Sequence, residues 1–464
     1  MNMPTWMRVV GTGVLAVVLL IAVSMPRPPA EPGPQFAERL DPVVEAAAQP
    51  SLWYCPWIHS GDTRETYVAA ASLPRVEIGF THPDPRIGEP EDIGTLEMEG
   101  PGAVIQDIAE IINRGDAPGF VEFSDGPATA SAIVRGRDTA LSGDRCIGSA
   151  PKLWHLAGLT TRDGYDLVLR LFNPIPDNAK VAVRASSELG SEALPDLQSI
   201  DVVGKTWVDV DLVEAIPFLD NLAITVSAEE GTIIPTVIQR RADDEASWPG
   251  IGLSTVWEFP TASLAGLTPR LAVWNPNEVP IDVEVDLYTR TSSVPAAFTA
   301  TIEAGRPIQF FLADQVPGAV GVRVRASGAV AAAVVAEDVP VITAGEDTAE
   351  SPDDPTRIAG TVGAAATSQS WLLAGAGAPV GGESSIWLLN TSGAAVTVTI
   401  QPLGSGELAV EKVRLEPETF IRVRLTTNPN VGGYRVDSAA PISASWSLQT
   451  SDAVALFAGV AIGE

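Results

Sequence analysis

The side chains that could act as bases, nucleophiles or metal ligands are few and widely spaced in this 464-residue chain. Its three histidines are His59, His82 and His155, and a catalytic centre needs such a base beside a nucleophile and an orienting partner. His59 and His82 with a carboxylate would be a candidate metal pair, but their spacing alone gives this no support. His155 follows Trp154 in an alternating stretch and is interpreted as a strand residue. No catalytic residue is therefore assigned, and no cofactor or metal is expected.

Short motifs add little chemistry. The tripeptide Gly204-Lys205-Thr206 resembles the end of a phosphate-binding loop, but Ser199 stands where that loop needs a glycine, and a strand-like segment follows where a helix is required. Acidic pairs at 243–244 and 353–354 lack the twelve-residue pattern of a calcium loop, so solvated charge is the favoured interpretation. No spacing among the 58 acidic residues singles out the two carboxylates of a glycosidase.

The two cysteines are a candidate structural pair. Cys55 and Cys146 are 91 residues apart, and an even number of cysteines in an exported protein predicts a disulfide. Closing a loop of that length would stabilise the fold by roughly 4–5 kcal/mol in the chain-entropy model. Two buried free thiols are the alternative.

The N-terminus predicts export. After Arg8, a charge-free run of 17 residues extends from Val9 to Met25 and would form a helix of about 25 Å, at the lower limit for crossing a bilayer. An uncleaved signal anchor is favoured over a cleaved signal peptide, because Pro26 follows a poor cleavage site. In both cases the long acidic remainder is expected outside the cytoplasm, at the cell membrane or secreted.

Composition sets the class of partner. The formal charge is −29, with 58 acidic and 29 basic residues, and such a polyanion repels the phosphates of nucleic acid. A hydrophobic content of 45% is ample for packed cores. Nucleic-acid binding is therefore not expected, whereas cell-envelope proteins or cell-wall glycan are.

An apolar run ending in Asn occurs three times, and each Asn follows a Trp by 18 or 19 residues. The asparagines are Asn173, Asn275 and Asn390, and the tryptophans are Trp154, Trp257 and Trp371. Stretches with period-two alternation lie downstream of each Asn and predict strands with one buried face. About seven short strands per hundred residues are typical of an immunoglobulin-like β-sandwich. A propeller is disfavoured, because a blade needs only about 40–50 residues.

The sequence therefore predicts an all-β chain of about four tandem immunoglobulin-like sandwiches after one transmembrane helix. A single short helix is expected at 104–113. The predicted parts are a cytoplasmic stub and signal-anchor helix at 1–30, a Pro-rich spacer at 31–50, a degenerate β unit at 51–147, repeats at 148–245, 246–344 and 363–464, and an acidic linker at 345–362.

Tryptophan carries two alternative interpretations. The Trp that begins each repeat is expected to pack between two sheets, which is the ordinary place for a large ring. Trp53, Trp57 and Trp248 lie outside the repeat landmarks and near the edges of the units. They are therefore the candidate glycan contacts, because an exposed aromatic face can stack on a sugar.

One long segment carries a family resemblance. The string CIGSAPKLWHLAGLTTRDGYDLVLRLFNP at 146–174, followed by AKVAV and AITVS, resembles actinobacterial membrane-anchored exported proteins that are defined only by a domain of unknown function (uncharacterised-domain family 5719). The resemblance implies an envelope protein working near cell-surface glycosyltransferases and supplies no active site. The main hypothesis is a non-enzymatic extracytoplasmic scaffold or interaction protein. A glycan-binding accessory protein is the alternative, and a glycan-modifying hydrolase is the least favoured.

Overall fold

The protein is all-β in the part of the chain that the structure describes. A computed structural model describes residues 43–44, 51–60, 64–83, 90–108, 115–116, 118–136, 140–262, 264, 266–316, 320–338, 357–405 and 408–462. Its helical elements in these ranges are Leu212–Ala215 and the 3-10 turns Pro195–Leu197 and Leu312–Asp314. No helix within them has the length and apolarity to span a bilayer. The predicted anchor from Val9 to Met25 lies outside the described residues.

Four units contain the same succession of strands. Unit 1 comprises Ser51–Cys55, Arg64–Ser72, Val76–Pro83, Pro90–Met98, Gly102–Asp107, Gly119–Phe123, Ala128–Gly136 and Leu141–Arg145, with short strands at His59–Ser60 and Gly115–Asp116. Unit 2 comprises Leu153–Leu159, Tyr165–Phe172, Ala179–Ser187, Gly190–Ala193, Ile200–Val202, Trp207–Asp211, Leu222–Glu230, Ile234–Arg241 and Asp244–Pro249.

The last two units merge the sixth and seventh strands into one long, bent strand. Unit 3 comprises Ser254–Phe259, Thr268–Trp274, Ile281–Tyr288, Ser293–Ile302, Pro307–Phe311, Gly321–Glu337 and Ile358–Val362. Unit 4 comprises Ser368–Ala374, Glu383–Asn390, Val396–Gly404, Glu411–Leu415, Thr419–Arg424, Val431–Gln449, Val454–Ala458 and Val460–Ile462, and Val43–Val44 pairs with the last of these strands.

Each unit is a sandwich of two sheets. In unit 3 the axial sheet has the order Pro307–Phe311, Thr268–Trp274, the second half of Gly321–Glu337, and Ile358–Val362. The lateral sheet has the order Ser254–Phe259, the first half of Gly321–Glu337, Ile281–Tyr288 and Ser293–Ile302. The other units repeat this order. The immunoglobulin-like prediction is wrong in strand order, because an immunoglobulin domain keeps strand F in one sheet with C and G, whereas in units 3 and 4 one long strand serves both sheets and in units 1 and 2 two consecutive strands take its place.

The four axial sheets meet at one centre and form a propeller-like ring. The last strand of each axial sheet contacts its counterpart in the next unit, and the fourth contacts the first; these axial strands are Leu141–Arg145, Asp244–Pro249, Ile358–Val362 and Val454–Ala458. The prediction against a propeller was therefore wrong. A propeller blade with one sheet takes about 40–50 residues. Each blade here has a second, lateral sheet, which doubles the length of the repeat.

Large side chains fill the centre of the ring. A Cβ added to Gly360 would lie 2.4 Å from the ring of Trp248, and one added to Gly143 would lie 3.0 Å from the ring of Phe457. Gly143 also has a φ of 143°, a conformation that favours glycine. Trp248 and Phe457 are both buried. The glycines of units 1 and 3 thus make room for the aromatic rings of units 2 and 4.

The tryptophan landmarks are confirmed, and they extend to unit 1. In every unit the Trp of the first strand is buried and pairs with a Val of the lateral sheet; the pairs are Trp53–Val121, Trp154–Val226, Trp257–Val324 and Trp371–Val436. Unit 1 was predicted to be degenerate, and Ser72 stands in it where the other units have the Asn that follows Trp by 18 or 19 residues. Its strand set is nevertheless complete.

Two predicted boundaries require correction. The boundary between 245 and 246 falls inside the strand Asp244–Pro249. The predicted linker 345–362 ends in the strand Ile358–Val362, which is the axial strand of unit 3. Both strands are short, and each pairs with a strand of its own unit on one edge only, so the acidic and small residues in and beside them resemble a loop in the sequence.

The repeated Asn joins two loops. The buried Asn275 donates from Nδ2 to the carbonyls of Val279 and Ile302 at 2.8 and 2.9 Å, and its Oδ1 accepts from the N–H of Asn277 at 2.9 Å. Asn173 and Asn390 make equivalent bonds to the carbonyls of Asp177, Val202, Ala394 and Glu416. The side chain therefore satisfies backbone groups that have no ladder partner.

Replacing Asn275 by Ala is expected to lower the free energy of unfolding by about 1–2 kcal/mol, because two buried carbonyls lose their donor. Urea denaturation followed by tryptophan fluorescence measures the change. The matched variant Asn275→Asp keeps the acceptor and should be at least as unstable, since it places an oxygen against both carbonyls. An Ala variant as stable as the parent chain would contradict this role.

Candidate functional site

The predicted disulfide is present. Cys55 and Cys146 are bonded, with Cα atoms 4.5 Å apart. The neighbouring residues Tyr54 and Ile147 exchange two backbone hydrogen bonds of 2.8 Å. The bond therefore attaches the first strand of unit 1 to the end of its axial strand and closes the unit on itself. This was the site that sequence reasoning placed correctly.

The other units close with the same backbone pairing but without cysteine. His155 pairs with Ile251 and Glu258 with Ala364 in the positions of Tyr54 and Ile147. The residue equivalent to Cys146 is glycine in each; the glycines are Gly250, Gly363 and Gly459. A Cβ on Gly363 or Gly459 would lie 2.8 Å from Phe259 or Leu373, which occupy the Cys55 position. A large side chain over a glycine thus replaces the disulfide there.

The three candidate glycan contacts are buried, so the prediction that their faces are exposed is wrong. The exposed fractions of Trp53, Trp57 and Trp248 are 5%, 3% and 0%. Trp57 donates to Ser142 at 2.9 Å and packs under the guanidinium of Arg170. Position near the end of a unit suggested exposure. Trp53 instead packs in the core of unit 1, and Trp57 and Trp248 lie where neighbouring units meet.

His155 fills an interface, as its strand position suggested. The ring is 3% exposed and lies edge-on to Trp274 of unit 3, with centroids 5.2 Å apart. Burial lowers its pKa to about 3, so the imidazole is neutral at physiological pH. The described residues contain no group of three metal-ligating side chains. The side chains of His59 and His82 lie outside the description.

Buried carboxylates join neighbouring units. Glu337 of unit 3 accepts from Arg162 of unit 2 at 3.0 Å and from Tyr165, and Arg270 lies 3.0 Å away. Burial would raise the pKa of Glu337, but the charges of Arg270 and Arg162 and the bond from Tyr165 outweigh it and hold that pKa below its ordinary value. The pair of Glu337 with Arg270 is buried, whereas Arg162 lies at the surface, and the contacts of Glu337 link units 2 and 3.

The other interfaces repeat this arrangement. Glu245 of unit 2 accepts from Ser142 of unit 1 at 2.8 Å and pairs with Arg64 at 2.6 Å. Glu258 of unit 3 accepts from Thr391 of unit 4 at 3.0 Å and from Ser443, and burial raises its pKa. These buried polar contacts fix the register between units, because breaking one would leave an uncompensated charge.

A groove at the seam between units 4 and 1 is the best candidate for a binding site. Its volume is about 780 Å³, and unit 1 contributes most of the wall. The lining residues are Tyr67, 96–99, Gly102–Asp107, 379–380, 404–405 and 429–432. The strand Gly102–Asp107 is only half-buried. This region was missed, because 104–113 was predicted to be a helix.

The groove combines apolar, aromatic and acidic groups. Leu96 is 38% exposed, and Val104 and Ile105 are half-buried. Tyr67 donates to Glu65 at 3.0 Å, and its burial, with that bond, raises the pKa of the phenol to about 12, so it remains a neutral donor. Such a surface can pack apolar side chains and attract cations, and it can also hydrogen-bond polar ligands.

A second concavity lies on the lateral sheet of unit 3. It has a volume of about 530 Å³ and is lined mainly by Asp282, Glu284, Thr299, Thr301 and Arg325. The guanidinium of Arg325 is already bound by Glu284 and by Asp286 at 2.9 Å. Its charge is therefore compensated within the protein, and the seam groove remains the stronger candidate.

The fold and the site define a class: an all-β ring of four two-sheet units with an open groove at its seam. The chain belongs to a family of unknown function (DUF5719), whose model matches residues 114–425. The match confirms the part of the resemblance that concerns the uncharacterised-domain family. A search of curated proteins finds no match.

Proposed function

We propose that the protein is a non-enzymatic scaffold or interaction protein of the actinobacterial cell envelope, anchored by Val9 to Met25 with its body outside the cytoplasm. The disulfide Cys55–Cys146 supports this placement, because such bonds persist in oxidising compartments. The charge-free N-terminal run supports the anchor.

The observation that carries the proposal is the seam groove on a closed ring. Buried interface charges and a filled centre hold the four units in one arrangement, so the groove walls from units 1 and 4 are held at a fixed separation. A preorganised surface loses little entropy when a partner binds. The groove is therefore the proposed contact site for an envelope protein.

The test is capture of partners by the tagged full chain in mild detergent. Membrane proteins from the native organism should be retained, and Leu96→Arg should reduce their retention at least tenfold by placing a charge in the apolar wall. The matched control is Leu189→Arg, because Leu189 is 89% exposed on unit 2 and far from the groove residues in sequence. Equal capture by the two variants would refute the groove as the contact site.

A glycan-binding accessory protein is the second candidate. Tyr67 and Gln106 in the groove favour it, since aromatic and amide side chains suit sugar rings and hydroxyls. Incubation of the same chain with protein-free cell wall distinguishes the two functions. Retention by wall that is lost in Leu96→Arg would support the glycan function and oppose the scaffold.

A further inference from the structure

The seam groove runs along the open edge of a sheet. The strand Gly102–Asp107 is the outermost of the axial sheet of unit 1 and pairs only with Arg64–Ser72 in that sheet. Successive side chains of a strand point to opposite faces, yet every residue from 102 to 107 lines the groove. The groove must therefore follow the edge of the strand, where its backbone is reached from both faces.

Backbone groups on this edge face the groove. The N–H of Ile108 donates to the carbonyl of Thr66 at 2.8 Å. Hydrogen bonding alternates along an antiparallel pair, so the N–H groups of Ala103 and Ile105 point away from the neighbouring strand. An edge of this kind is a template for an added strand.

The charge of the groove selects the occupant. Glu97 and Glu99 line it, and none of its described lining residues is Lys or Arg. Arg75 pairs with Glu97 at 2.9 Å and Glu99 at 3.5 Å on the exposed rim, so the acids remain in excess. The chain carries a formal charge of −29, which adds long-range attraction for cations.

We propose that the groove binds an extended, basic polypeptide segment of a partner protein, which adds as a strand to Gly102–Asp107. This inference rests on the proposed scaffold function and specifies its partner. About six residues of ligand match the strand and span about 20 Å. The added backbone pairs with the open N–H and C=O groups, alternate apolar side chains pack beside Leu96 and Ile105, and Lys or Arg side chains meet the acids.

Three fluorescent octapeptides test the idea on the full chain. One alternates Lys and Val, the second alternates Glu and Val, and the third is the Lys–Val peptide with alternate amides N-methylated. Fluorescence anisotropy should show binding of the Lys–Val peptide. The other two should bind at least tenfold more weakly, because the Glu–Val peptide carries the opposite charge and the N-methylated peptide lacks N–H groups that would bond the edge strand. Binding of the first should weaken as salt is raised.

Matched variants locate the site. Glu97→Lys with Glu99→Lys should weaken binding of the Lys–Val peptide at least tenfold, while reversal of the exposed Glu188 and Glu192 should not. Ile105→Pro removes one outward N–H and should abolish binding, whereas Ile105→Ala keeps it. The charge variants keep the test valid if the proline variant is unstable.

Several results would overturn the inference. The first is equal binding of the three peptides. The second is unchanged binding of the Lys–Val peptide to the chain with Glu97→Lys and Glu99→Lys, and the third is self-association of the chain that Ile105→Pro abolishes. If the reversed chain still captures a membrane partner that Leu96→Arg loses, the scaffold function stands and the basic-strand inference falls. If the peptide binds as expected but no membrane partner is captured, the scaffold function falls instead.

Discussion

Removing the disulfide is expected to lower the free energy of unfolding by about 4–5 kcal/mol. The bond closes a loop of 91 residues that contains nearly all of unit 1, and the chain-entropy model gives this magnitude for such a loop. Because the first strand of unit 1 pairs with the residue after its axial strand, an unlinked unit can separate there more readily. Urea denaturation of Cys55→Ala/Cys146→Ala beside the parent chain measures the loss.

Unit 4 supplies the matched control. The double variant Cys55→Leu/Cys146→Gly copies Leu373 and Gly459, which occupy the same two positions. The variant should remain folded and should recover about 1–2 kcal/mol relative to the double alanine variant, because the leucine fills the space over the glycine. A double alanine variant that unfolds at the same urea concentration as the parent would contradict the role of the bond.

Local chemistry made the strands predictable. Asn173, Asn275 and Asn390 end an apolar strand in each of three units, and the Trp before each is buried as expected. These signals depend on a strand and its own sandwich, so they are visible within one repeat. The predicted immunoglobulin-like strand order was nonetheless wrong. The alternation of apolar and polar residues indicates how many strands there are, but it does not indicate which strands are neighbours in a sheet.

The ring could not be predicted from the same signals. Its interfaces depend on the residue after each Trp, which faces the next unit; these residues include His155, Glu258 and Leu372. These residues share no chemical type. His155 packs its ring against Trp274, Glu258 is a buried acid that accepts hydrogen bonds, and Leu372 makes aliphatic contacts. Trp57 looked available for a ligand for the same reason, since part of the surface that buries it belongs to unit 2.

The groove strand was missed because its residues also fit a helix. Val104, Ile105 and Ile108 have helical spacing, but tertiary pairing with Arg64–Ser72 overrides it. The repeat contained a usable signal. Ile108 follows Ser72 by 36 residues, and the buried Leu212 and Leu312 follow their asparagines by 39 and 37. Extending the alignment from Ser72 would have placed the fifth strand here.

Raising the pH from 6.5 to 9 is expected to lower the free energy of unfolding by an amount on the order of 3 kcal/mol. Two buried carboxyls near the centre carry the effect. Burial raises the pKa of Asp144 to about 7 and that of Asp244 to about 8, from an ordinary 3.8. The folded chain therefore holds protons that the unfolded chain has already released, and stability falls until both groups are ionised.

Burial also raises the pKa of Glu258, so this carboxyl lowers stability with rising pH in the same direction as Asp144 and Asp244. His155, whose pKa is lowered to about 3, gives the opposite slope only below its ordinary pKa of 6.5, and the lowered pKa of Glu337 acts only under its ordinary 4.5. Tyr67 and Tyr165, raised to about 12, act above pH 10. Urea denaturation at several pH values between 6.5 and 9 therefore measures the buried carboxyls with raised pKa values, and substitution of Asp144 and Asp244 separates their part of the slope from that of Glu258.

Asn at both positions tests the assignment. An amide imitates the neutral acid but keeps only one acceptor oxygen. At position 144 that oxygen can still accept from the N–H of Ala458 at 3.2 Å. At position 244 it replaces only one of the two oxygens that accept from Leu141 and Ile358 at 3.2 and 2.9 Å, so the variant is less stable at every pH although its pH slope is smaller. The double variant should lose most of the pH slope. Since those N–H groups belong to the axial strands of units 1, 3 and 4, hydrogen exchange should accelerate there first in the parent chain at pH 9. A parent chain that is more stable at pH 9 than at 6.5, or a variant with an unchanged slope, would show that these carboxyls are ionised throughout.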